Sequence, residues 1–360
     1  MHHKKKEQIS NEIDPLISML KTVTPEVINL LDTRFNILRI VNHDQPIGRR
    51  NLSAKLDITE RVLRKEANVL KDNGLLEFTP EGMNISDKGI NVLINLERFL
   101  HDFRGIREIE KRLANRLNIH KVFITPMQYD DSELMLKEIG KSASRYLSSI
   151  LKDDSVLGMT GGSTLYHVIE CFKRDSRCPK GITVVPARGG IGDKAEYQAN
   201  TLAEKLANKL SGQYKQLYTP DSLSKASIDS LMNEPKIREI MNDIEHIDTL
   251  IFGVGNAKTM ARRRGLKQDV IDTMIEKGAV AEAFGYYFNQ EGEIVHEIST
   301  IGISLDKCKS LENIIAVAGG VEKAEAIIAI SKLNEKLVLI TDESVAKLIL
   351  DRYEDNSSEV

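Results

Sequence analysis

The stretch SVLGMTGGSTLYHVIE, residues 155–170, decides the fold of most of the chain. Its first six residues predict a short buried strand, and the Gly161-Gly162 pair predicts a tight turn. An amphipathic helix follows from about Thr164. A strand that turns directly into a helix is the building unit of parallel α/β sheets, so this stretch predicts an α/β fold.

The same alternation of apolar runs and amphipathic stretches continues from about residue 120 onward. The predicted strands are 121–125, 155–160, 182–186, 215–219, 248–255, 280–288, 313–320 and 336–341. The predicted helices are 132–151, 164–174, 195–210, 267–277, 321–333 and 343–352. Strand–helix alternation over this length predicts a mostly parallel sheet with helices on both faces, in a domain over residues 119–360.

The composition is that of an ordinary globular protein, with 360 residues of which 41% are hydrophobic and 29% are charged. The three cysteines, Cys171, Cys178 and Cys308, are odd in number and fit no zinc-ligand spacing. We therefore expect reduced thiols, no metal and a cytoplasmic location. No apolar run reaches the ~18 residues of a membrane span. The net charge of -3, taken alone, argues against an avid nucleic-acid binder.

Residues 46–88 have a different pattern, which predicts a winged helix-turn-helix. IGRRNLSAKL predicts one helix, DIT a short turn, and ERVLRKEANVLKDNG a second helix that is capped by Thr59 and ends near Gly74. LLEFTPEGMNIS then predicts two short strands joined through TPEG, as in a wing. We therefore expect a DNA-binding domain over residues 1–88.

The second helix of this module has two chemically different faces. The positions predicted to pack on neighbouring helices are Val62, Leu63, Ala67 and Leu70. The positions predicted to contact base edges are Arg61, Arg64, Lys65 and Asn68, and those predicted to contact phosphates are Arg49 and Arg50. Residues 46–71 carry seven basic and three acidic residues, a local net charge of +4. A solvated basic face and a module used only for protein contacts are the alternatives.

Residues 89–118 predict one continuous helix that links the two domains. Its apolar residues recur mostly at steps of three or four: Val92, Leu96, Phe99, Phe103, Ile106, Leu113 and Leu117. A helix that joins the domains directly is suited to transmit a signal and to pair subunits. The alternative is a helix that only packs on a neighbouring domain.

Four glycine-rich loops follow predicted strands, and such loops meet in one crevice when the strands are parallel. The first, Gly161 to Thr164, precedes a helix whose free N–H groups favour an anion, and it lacks the Gly-Lys-Ser/Thr ending of a Walker motif. The others are PARGGIGD (186–193), FGVGNAK (252–258) and AVAGGVEKAEAI (316–327). The set predicts a phosphate-binding crevice; the alternative is a set of tight turns without a ligand.

Charged and polar side chains near these loops complete the predicted site. Arg188 and Lys323 supply cations, and Gln198 and Glu282 are suited to sugar hydroxyls. The run at 262–264 offers Arg263 as a second phosphate contact, and it also fits a solvated helix end.

The motifs MTGGST, FGVGN, VAEAFGYYF and VAGGVEKAEAI, followed by LVLITDE, occur in this order along the chain. In this set and order, residues 95–350 resemble the effector domain of the SorC-type sugar-responsive transcription regulators. The winged module, the linker helix and PARGG are similar to family members that repress a glycolytic operon. The family often has TWGGT where this chain has MTGGST, and the chain has no tryptophan, so the residues of that loop are matched by position.

The resemblance implies a DNA-binding repressor of a glycolytic operon whose inducer is fructose 1,6-bisphosphate. It implies a Rossmann-like domain of the sugar-phosphate isomerase/deaminase type, used for sensing and without a cofactor. One phosphate would lie on the first glycine loop beside Lys323, the other would face Arg188, Gln198 and Arg263, and the sugar would face Glu282. The full effector-binding set is Gly161, Gly162, Ser163, Thr164, Arg188, Gln198, Gly255, Arg263, Glu282 and Lys323.

Two other functions stay open on the sequence alone. One is a regulator of the same family that answers to a different sugar phosphate or to a sugar alcohol. The other is an isomerase or deaminase, which needs a placed acid–base pair; Glu282, Asp193 and His167 are candidates. The expected partners are double-stranded operator DNA, a phosphorylated sugar, and further copies of the chain as a dimer or as a tetramer on DNA. No membrane partner is expected.

Overall fold

The computed structural model describes residues 23–126, 132–174, 178–190, 194–220 and 223–358. Residues 1–22 of the predicted DNA-binding domain, and the candidate residue Asp193, lie outside these ranges. The chain divides into two units, residues 1–107 and 108–360. Among the helices described, none is both long and apolar enough to cross a lipid bilayer.

The first unit is a winged helix-turn-helix, as predicted. Its elements are α1 (Pro25–Asp44), α2 (Arg49–Leu56), α3 (Glu60–Asp72), β1 (Leu76–Phe78), β2 (Met83–Ile85) and α4 (Asp87–Phe103). Asp57 turns the chain between α2 and α3 in the left-handed conformation, with φ 51°. The Thr59 hydroxyl accepts a hydrogen bond from the Val62 N–H at 3.3 Å, which satisfies one of the free donors at the start of α3.

The wing is an antiparallel hairpin in which Leu76 pairs with Ile85 and Phe78 pairs with Met83. Ile47 forms a backbone bridge to Met83 through two N–H···O bonds of 3.1 and 2.9 Å, which ties the hairpin to the segment before α2. A Cβ at position 82 would lie 2.8 Å from the Ile47 backbone, so this contact requires the glycine of TPEG. The predicted strand–turn–strand segment is confirmed.

The buried face of α3 differs from the prediction at one edge. Three of the four predicted apolar positions are buried, but Val62 is 44% exposed, so its predicted packing is wrong. The edge is instead occupied by Glu66, whose Oε2 accepts a hydrogen bond from Arg34 Nε at 2.8 Å. An ion pair between α1 and α3, in which Glu66 is buried and Arg34 is about a third exposed, therefore takes the place of the expected apolar contact.

The predicted single helix over 89–118 is wrong, because the structure has two helices there. α4 ends at Phe103, and α5 follows over Ile106–Leu117. Gly105 lies between them with φ 69°, the left-handed conformation in which glycine commonly ends a helix. Phe103 packs with Phe35 of α1, so the apolar face of α4 contributes to the core of the first unit.

Two sheets organise the second unit. Its strands are β3 (Lys121–Thr125), β4 (Val156–Met159), β5 (Thr183–Pro186), β6 (Gln213–Tyr214), β7 (Thr249–Gly253), β8 (Gly255–Asn256), β9 (Ala281–Ala283), β10 (Tyr286–Phe288), β11 (Ile294–Glu297), β12 (Asn313–Val317) and β13 (Leu337–Asp342). Seven strands form a parallel sheet in the order β3-β13-β12-β7-β4-β5-β6, and the other four form an antiparallel sheet in the order β11-β10-β9-β8. The predicted α/β class is confirmed.

Helices lie between the strands of the second unit, and one more follows the last strand. They are α6 (Ser132–Ile150), α7 (Ser163–Cys171), α8 (Ala199–Leu210), α9 (Lys225–Leu231), α10 (Pro235–Glu245), α11 (Ala257–Arg263), α12 (Gln268–Glu276), α13 (Leu305–Ser310), α14 (Ala324–Ser331) and α15 (Glu343–Ser358). Short 3-10 turns over Ala195–Tyr197 and Val321–Lys323 precede α8 and α14. All six residues of β13 are buried, as expected for a parallel strand that is covered on both faces.

Two of the predicted strands differ from the observed ones. Residues 280–288 form the hairpin β9–β10 and not one strand of the parallel sheet, because Phe284 and Gly285 make a turn within the apolar run. Residues 215–219 are not a strand, since β6 ends at Tyr214. The hydropathy pattern did not predict the turn at Phe284 and Gly285, because neither residue of that turn is polar.

The direction in which strands are added reverses between β4 and β7. From β4 the chain moves outward to β5 and β6, then returns to β7 on the other side of β4 and moves outward to β12 and β13. Loops that leave neighbouring strands at such a reversal diverge, and a crevice opens at the carboxyl ends of the strands. The glycine loops after β4 and β7 face this crevice.

Candidate functional site

A pocket with a volume of about 140 Å³ lies in the crevice between β4 and β7. All ten residues that the sequence assigned to effector binding line it; seven belong to the four glycine loops, and Gln198, Arg263 and Glu282 come from other segments. The sequence did not indicate several further lining side chains, of which Tyr197, Met260 and Phe284 are the largest. The fold therefore brings segments that are far apart in the chain into one site.

Two glycines let the loop after β4 approach the neighbouring backbone closely. The Gly162 N–H donates to the Tyr197 carbonyl oxygen at 2.8 Å, and a Cβ on Gly161 would lie 2.5 Å from that oxygen. Gly162 has φ 121°, a conformation that other residues rarely adopt. α7 begins at Ser163, and Ser163 and Thr164 line the pocket, so the free N–H groups of the first turn are available to an anion there.

Arg188 is held on the loop after β5 by backbone pairing with a second loop. The Ile303 N–H donates to the Ala187 carbonyl at 2.7 Å, and the Gly189 N–H donates to the Ile301 carbonyl at 3.3 Å. The Arg188 side chain is 5% exposed. This guanidinium is therefore a buried part of the pocket wall and not a solvated surface charge.

Glu282, in the middle of β9, is the centre of a buried charge network. Its Oε1 accepts hydrogen bonds from Arg188 Nη1 at 3.0 Å, Arg264 Nη2 at 2.7 Å and the Gly285 N–H at 2.9 Å. Burial alone would raise the pKa of Glu282, but Arg264 and Arg188 outweigh it and hold that pKa below its usual range. Glu282 is therefore a carboxylate near neutral pH and is unsuited to act as a general acid.

The three arginines at 262–264 lie in three different environments. Arg263 is exposed and lines the pocket, as the sequence analysis preferred, and Arg262 is exposed. Arg264 was not predicted; its side chain is 3% exposed and its Nη1 donates to Tyr287 Oη at 2.9 Å. The solvated helix end that the sequence left open describes Arg262, whereas Arg264 is part of the buried network.

Lys323 reaches the pocket from the loop after β12. The Gly320 N–H donates to Oδ2 of the buried Asp342 at 2.7 Å, which fixes the loop that carries the lysine. Burial lowers the pKa of Lys323, and Arg263 lowers it further, while two nearby carboxylates raise it. Within the described ranges no carboxylate forms an ion pair with Lys323. A half-buried ammonium in this situation favours an anionic ligand.

Gln198 and Gly255 add an amide and an open stretch of backbone to the pocket. Gln198 immediately precedes α8, and its Oε1 lies 2.6 Å from where a Cβ on Gly190 would be. A Cβ on Gly255 would lie 2.5 Å from Met260 Cγ and 3.1 Å from Glu282 Oε2. Glycine at 255 therefore leaves room for the second oxygen of the Glu282 carboxylate.

Phe284 and Gly285 form the two-residue turn between β9 and β10, with φ 56° and 91°. Positive φ at both positions is the type I′ hairpin geometry, which costs a non-glycine residue about 1–3 kcal/mol. Phe284 lines the pocket and packs on Phe252, with ring centroids 4.7 Å apart. A strained aromatic residue in the wall is consistent with a ligand site.

The charge balance of the pocket suits an anion. Arg188, Arg263 and Lys323 are cations, and Glu282 is the carboxylate that lines it. His167, the other described candidate for acid–base chemistry, is not among the lining residues. No group of histidine, cysteine, aspartate and glutamate within the part of the chain that is described is arranged to hold a metal ion.

The predicted DNA-contacting residues form an exposed surface on the first unit. All six are exposed: Arg49, Arg50, Arg61, Arg64, Lys65 and Asn68. The four on α3 follow the spacing i, i+3, i+4 and i+7, on the side away from the buried Leu63. Such a basic face on the second helix of a helix-turn-helix has the shape and charge that suit a DNA major groove.

The wing contributes to the same surface through Phe78. Arg49 Cζ lies 5.9 Å from the centroid of the Phe78 ring, and Lys71 Nζ lies 4.9 Å from it. Cation–π contacts of this kind hold charged groups near an aromatic face. Cations from α2 and α3 thus meet at the wing.

Two family models match the chain, and together they span most of it. The sugar-binding domain model matches residues 101–351, and the CggR N-terminal DNA binding domain model matches residues 30–100. The first match corresponds to the unit that contains the pocket, and the second corresponds to the winged helix-turn-helix.

Curated relatives cover nearly the whole chain. The central glycolytic genes regulator of Bacillus subtilis (strain 168) is 39% identical over 94% of this chain and 99% of its own length. The central glycolytic genes regulator of Priestia megaterium is 38% identical over 92% of this chain and 97% of its own length. Both relatives are named as regulators, and together with the DNA-binding domain match they make this chain a transcription regulator rather than the isomerase or deaminase that the sequence left open.

Solved structures of transcription regulators also resemble this chain. A SorC family transcriptional regulator from Enterococcus faecalis is 34% identical, with a TM-score of 0.62 over 68% of this chain and 99% of that chain. The full-length sorbitol operon regulator SorC from Klebsiella pneumoniae shares the fold with a TM-score of 0.65 over 90% of this chain and 98% of that chain, at 16% identity. The chain therefore belongs to the SorC-type family of transcription regulators, in which a DNA-binding module is joined to a sugar-binding domain.

Proposed function

We propose that the chain is a cytoplasmic repressor of a glycolytic operon and that fructose 1,6-bisphosphate releases it from operator DNA. The observation that carries the proposal is the pocket between β4 and β7, in which a helix N-terminus, the buried Arg188 and the half-buried Lys323 surround one cavity. Two relatives named as central glycolytic genes regulators support the choice of genes.

The first phosphate occupies the glycine loop, residues 161–164, with Lys323 as its counter-ion. The N–H groups of the first turn of α7 donate to the phosphate oxygens, and the helix dipole adds about 0.3–1 kcal/mol, up to ~2 when partly buried. The glycines supply the close approach, since neither of them has a side chain between the backbone and the ligand.

The second phosphate faces Arg188 and Arg263, with Gln198 beside it. Guanidinium groups suit this role because their fork of N–H donors matches two phosphate oxygens at once. The sugar lies between the phosphates and faces Glu282. Oε1 of Glu282 already accepts from three donors, so Oε2, on the side of Gly255, is the oxygen that accepts from a sugar hydroxyl.

Release from DNA requires that the effector bind the DNA-free state more tightly than the DNA-bound state, since equal affinity for both states would not shift the equilibrium between them.

We assign DNA binding to residues 1–88, the connection to residues 89–118, and effector binding with oligomerisation to residues 119–360. The helix break at Gly105 lies inside the connecting segment. Paired operator half-sites favour a dimer, or a tetramer on DNA.

A thermal-shift panel tests the effector assignment. Fructose 1,6-bisphosphate should raise the melting temperature of the full chain more than fructose 6-phosphate, glucose 6-phosphate or sorbitol at equal concentration. A ligand at 100 times its Kd stabilises the folded state by about 2.7 kcal/mol, so tighter binding gives a larger shift. An equal response to every sugar phosphate, or a response only to sorbitol, would remove fructose 1,6-bisphosphate as the effector.

Two arginine substitutions separate base reading from phosphate contact. Arg64→Ala should weaken binding to the preferred duplex by about 1–3 kcal/mol and relax the base preference. Arg49→Ala should weaken binding to all duplexes alike and reduce the slope of log K against log salt by about 1. Electrophoretic shift titrations at several salt concentrations measure both effects, with the exposed Lys336→Ala of the second unit as control. Affinities that neither arginine substitution changes would contradict the proposed DNA surface.

A further inference from the structure

We infer that Arg264 is a positioning residue of the pocket: it anchors Glu282 and thereby keeps Arg188 available to the second anionic group of a bisphosphate. The inference rests on the proposed function and adds to it the residue that sets the preference for a bisphosphate over a monophosphate. Three features of the buried network carry it.

The first feature is that Arg264 does not line the cavity itself and contacts Glu282, which does. Arg264 is absent from the residues that line the cavity, and its side chain is 3% exposed. Its guanidinium spans two acceptors, with Nη2 2.7 Å from Glu282 Oε1 and Nη1 2.9 Å from Tyr287 Oη. Because both donors belong to one rigid plane, the bond to Tyr287 fixes the direction from which Nη2 reaches the carboxylate, which the rotatable ammonium of a lysine does not do.

The second feature is the sharing of one carboxylate oxygen. Oε1 of Glu282 accepts from Arg188, from Arg264 and from the Gly285 N–H. If a buried carboxylate had a single arginine partner, that arginine would have to break the ion pair in order to bind another anion, and the carboxylate would be left without a compensating charge. Because Arg264 and the Gly285 amide already compensate Glu282, Arg188 attracts a phosphate while it keeps its own hydrogen bond.

The third feature is the fixed position of Tyr287, which anchors the far end of Arg264. Tyr287 is directly opposite Glu282 in the β9–β10 pairing, and it is fully buried. The Arg264 Cζ also lies 5.6 Å from the centroid of the Tyr287 ring. Glu282 and Tyr287, which accept from Arg264, are thus placed by one short hairpin, whose turn residue Phe284 lines the pocket.

Calorimetric titration of the full chain with fructose 1,6-bisphosphate and with fructose 6-phosphate tests the inference. Arg264→Gln should weaken bisphosphate binding about tenfold, or 1.4 kcal/mol, and monophosphate binding less than about threefold, because a monophosphate uses the glycine loop. Tyr287→Phe, which removes only one acceptor, should shift the ratio in the same direction by about threefold. Arg264→Lys should give an intermediate ratio. Arg262→Gln is the matched control, since Arg262 is exposed and outside the pocket lining.

The outcomes separate this inference from the proposed function. Wild-type protein without any preference for the bisphosphate would contradict the proposed function itself. A wild-type preference that both Arg264→Gln and Tyr287→Phe retain would overturn the role of Arg264 alone. A purely structural role would weaken both ligands by the same factor and leave their ratio unchanged, which also overturns it. If Arg264→Gln does not fold, the ratio measured for Tyr287→Phe decides the matter.

Discussion

Glu282→Gln should lower the free energy of unfolding by about 3–5 kcal/mol, the range expected when one partner is removed from a buried ion pair. Two guanidinium groups, with side chains 5% and 3% exposed, would lose the charge that compensates them. The neutral amide still accepts a hydrogen bond, but it offsets neither the desolvation of Arg188 nor that of Arg264. Urea unfolding of the full chain, followed by circular dichroism, measures the difference.

Glu325→Gln is the control that shows whether the loss of stability depends on the burial of the ion pair. Glu325 pairs with Arg352 at 3.0 Å, but both side chains are about half exposed, so the same substitution there should cost at most about 1 kcal/mol. Equal effects of the two substitutions at neutral pH would contradict the description of Glu282 as the centre of a buried network.

The effect of Glu282→Gln should also depend on pH. The folded protein holds the pKa of Glu282 below its ordinary value, so the stability that this carboxylate contributes is fully present above the unfolded-state pKa. That contribution is lost as the pH falls through the folded-state pKa. The difference in stability between wild type and Glu282→Gln should therefore narrow in acid.

Gly161→Ala should weaken fructose 1,6-bisphosphate binding by about 100-fold or more. The added Cβ would lie 2.5 Å from the Tyr197 carbonyl oxygen and 3.0 Å from the Ala199 nitrogen, both of which are backbone atoms that cannot rotate away. The loop has to move, which displaces the N–H groups that bind the first phosphate. Loss of two charge-assisted hydrogen bonds at about 1.5–3 kcal/mol each gives an effect of this size.

Ser163→Ala is the control within the same loop. It removes one hydroxyl but leaves the backbone N–H groups of α7 in place, so at most one charge-assisted hydrogen bond is lost and binding should weaken by about tenfold, less than in Gly161→Ala, which loses two. Both variants should still bind operator DNA, because the substituted residues belong to the second unit. Calorimetry measures the ligand, and an equal loss in the two variants would contradict the backbone-cradle account of residues 161–164.

The parallel sheet and the glycine loops of the pocket could be predicted because both follow from local patterns, whereas the full set of ten pocket residues was implied by the resemblance to the SorC-type regulators. A glycine loop is visible in the sequence at four of the apolar runs, and parallel strands bring the ends of those runs together. The network behind the pocket could not be predicted in the same way. Which of the residues 262–264 points inward depends on where the short α11 ends, and the position of Tyr287 depends on a turn hidden within VAEAFGYYF.

In the first unit, too, local sequence patterns predicted the helices and strands but not the contacts between them. Apolar spacing predicted the helix-turn-helix, but the burial of Glu66 depends on Arg34, which lies in another helix. Gly105 was a visible stop signal within 89–118, yet the apolar residues on both sides continue the helical spacing across it. Local periodicity therefore predicted the elements, whereas tertiary ion pairs and turn positions required the structure.

The measurement that tests the central claim most directly is release of DNA by the effector. A labelled duplex, selected by the full chain from a random-sequence library, is titrated with fructose 1,6-bisphosphate or fructose 6-phosphate while its fluorescence anisotropy is followed, for wild type and for Gly161→Ala. We predict that the bisphosphate releases the duplex from wild type near the Kd found by calorimetry, whereas Gly161→Ala stays bound. A wild-type affinity for DNA that is unchanged when calorimetry shows the pocket to be saturated would contradict the account.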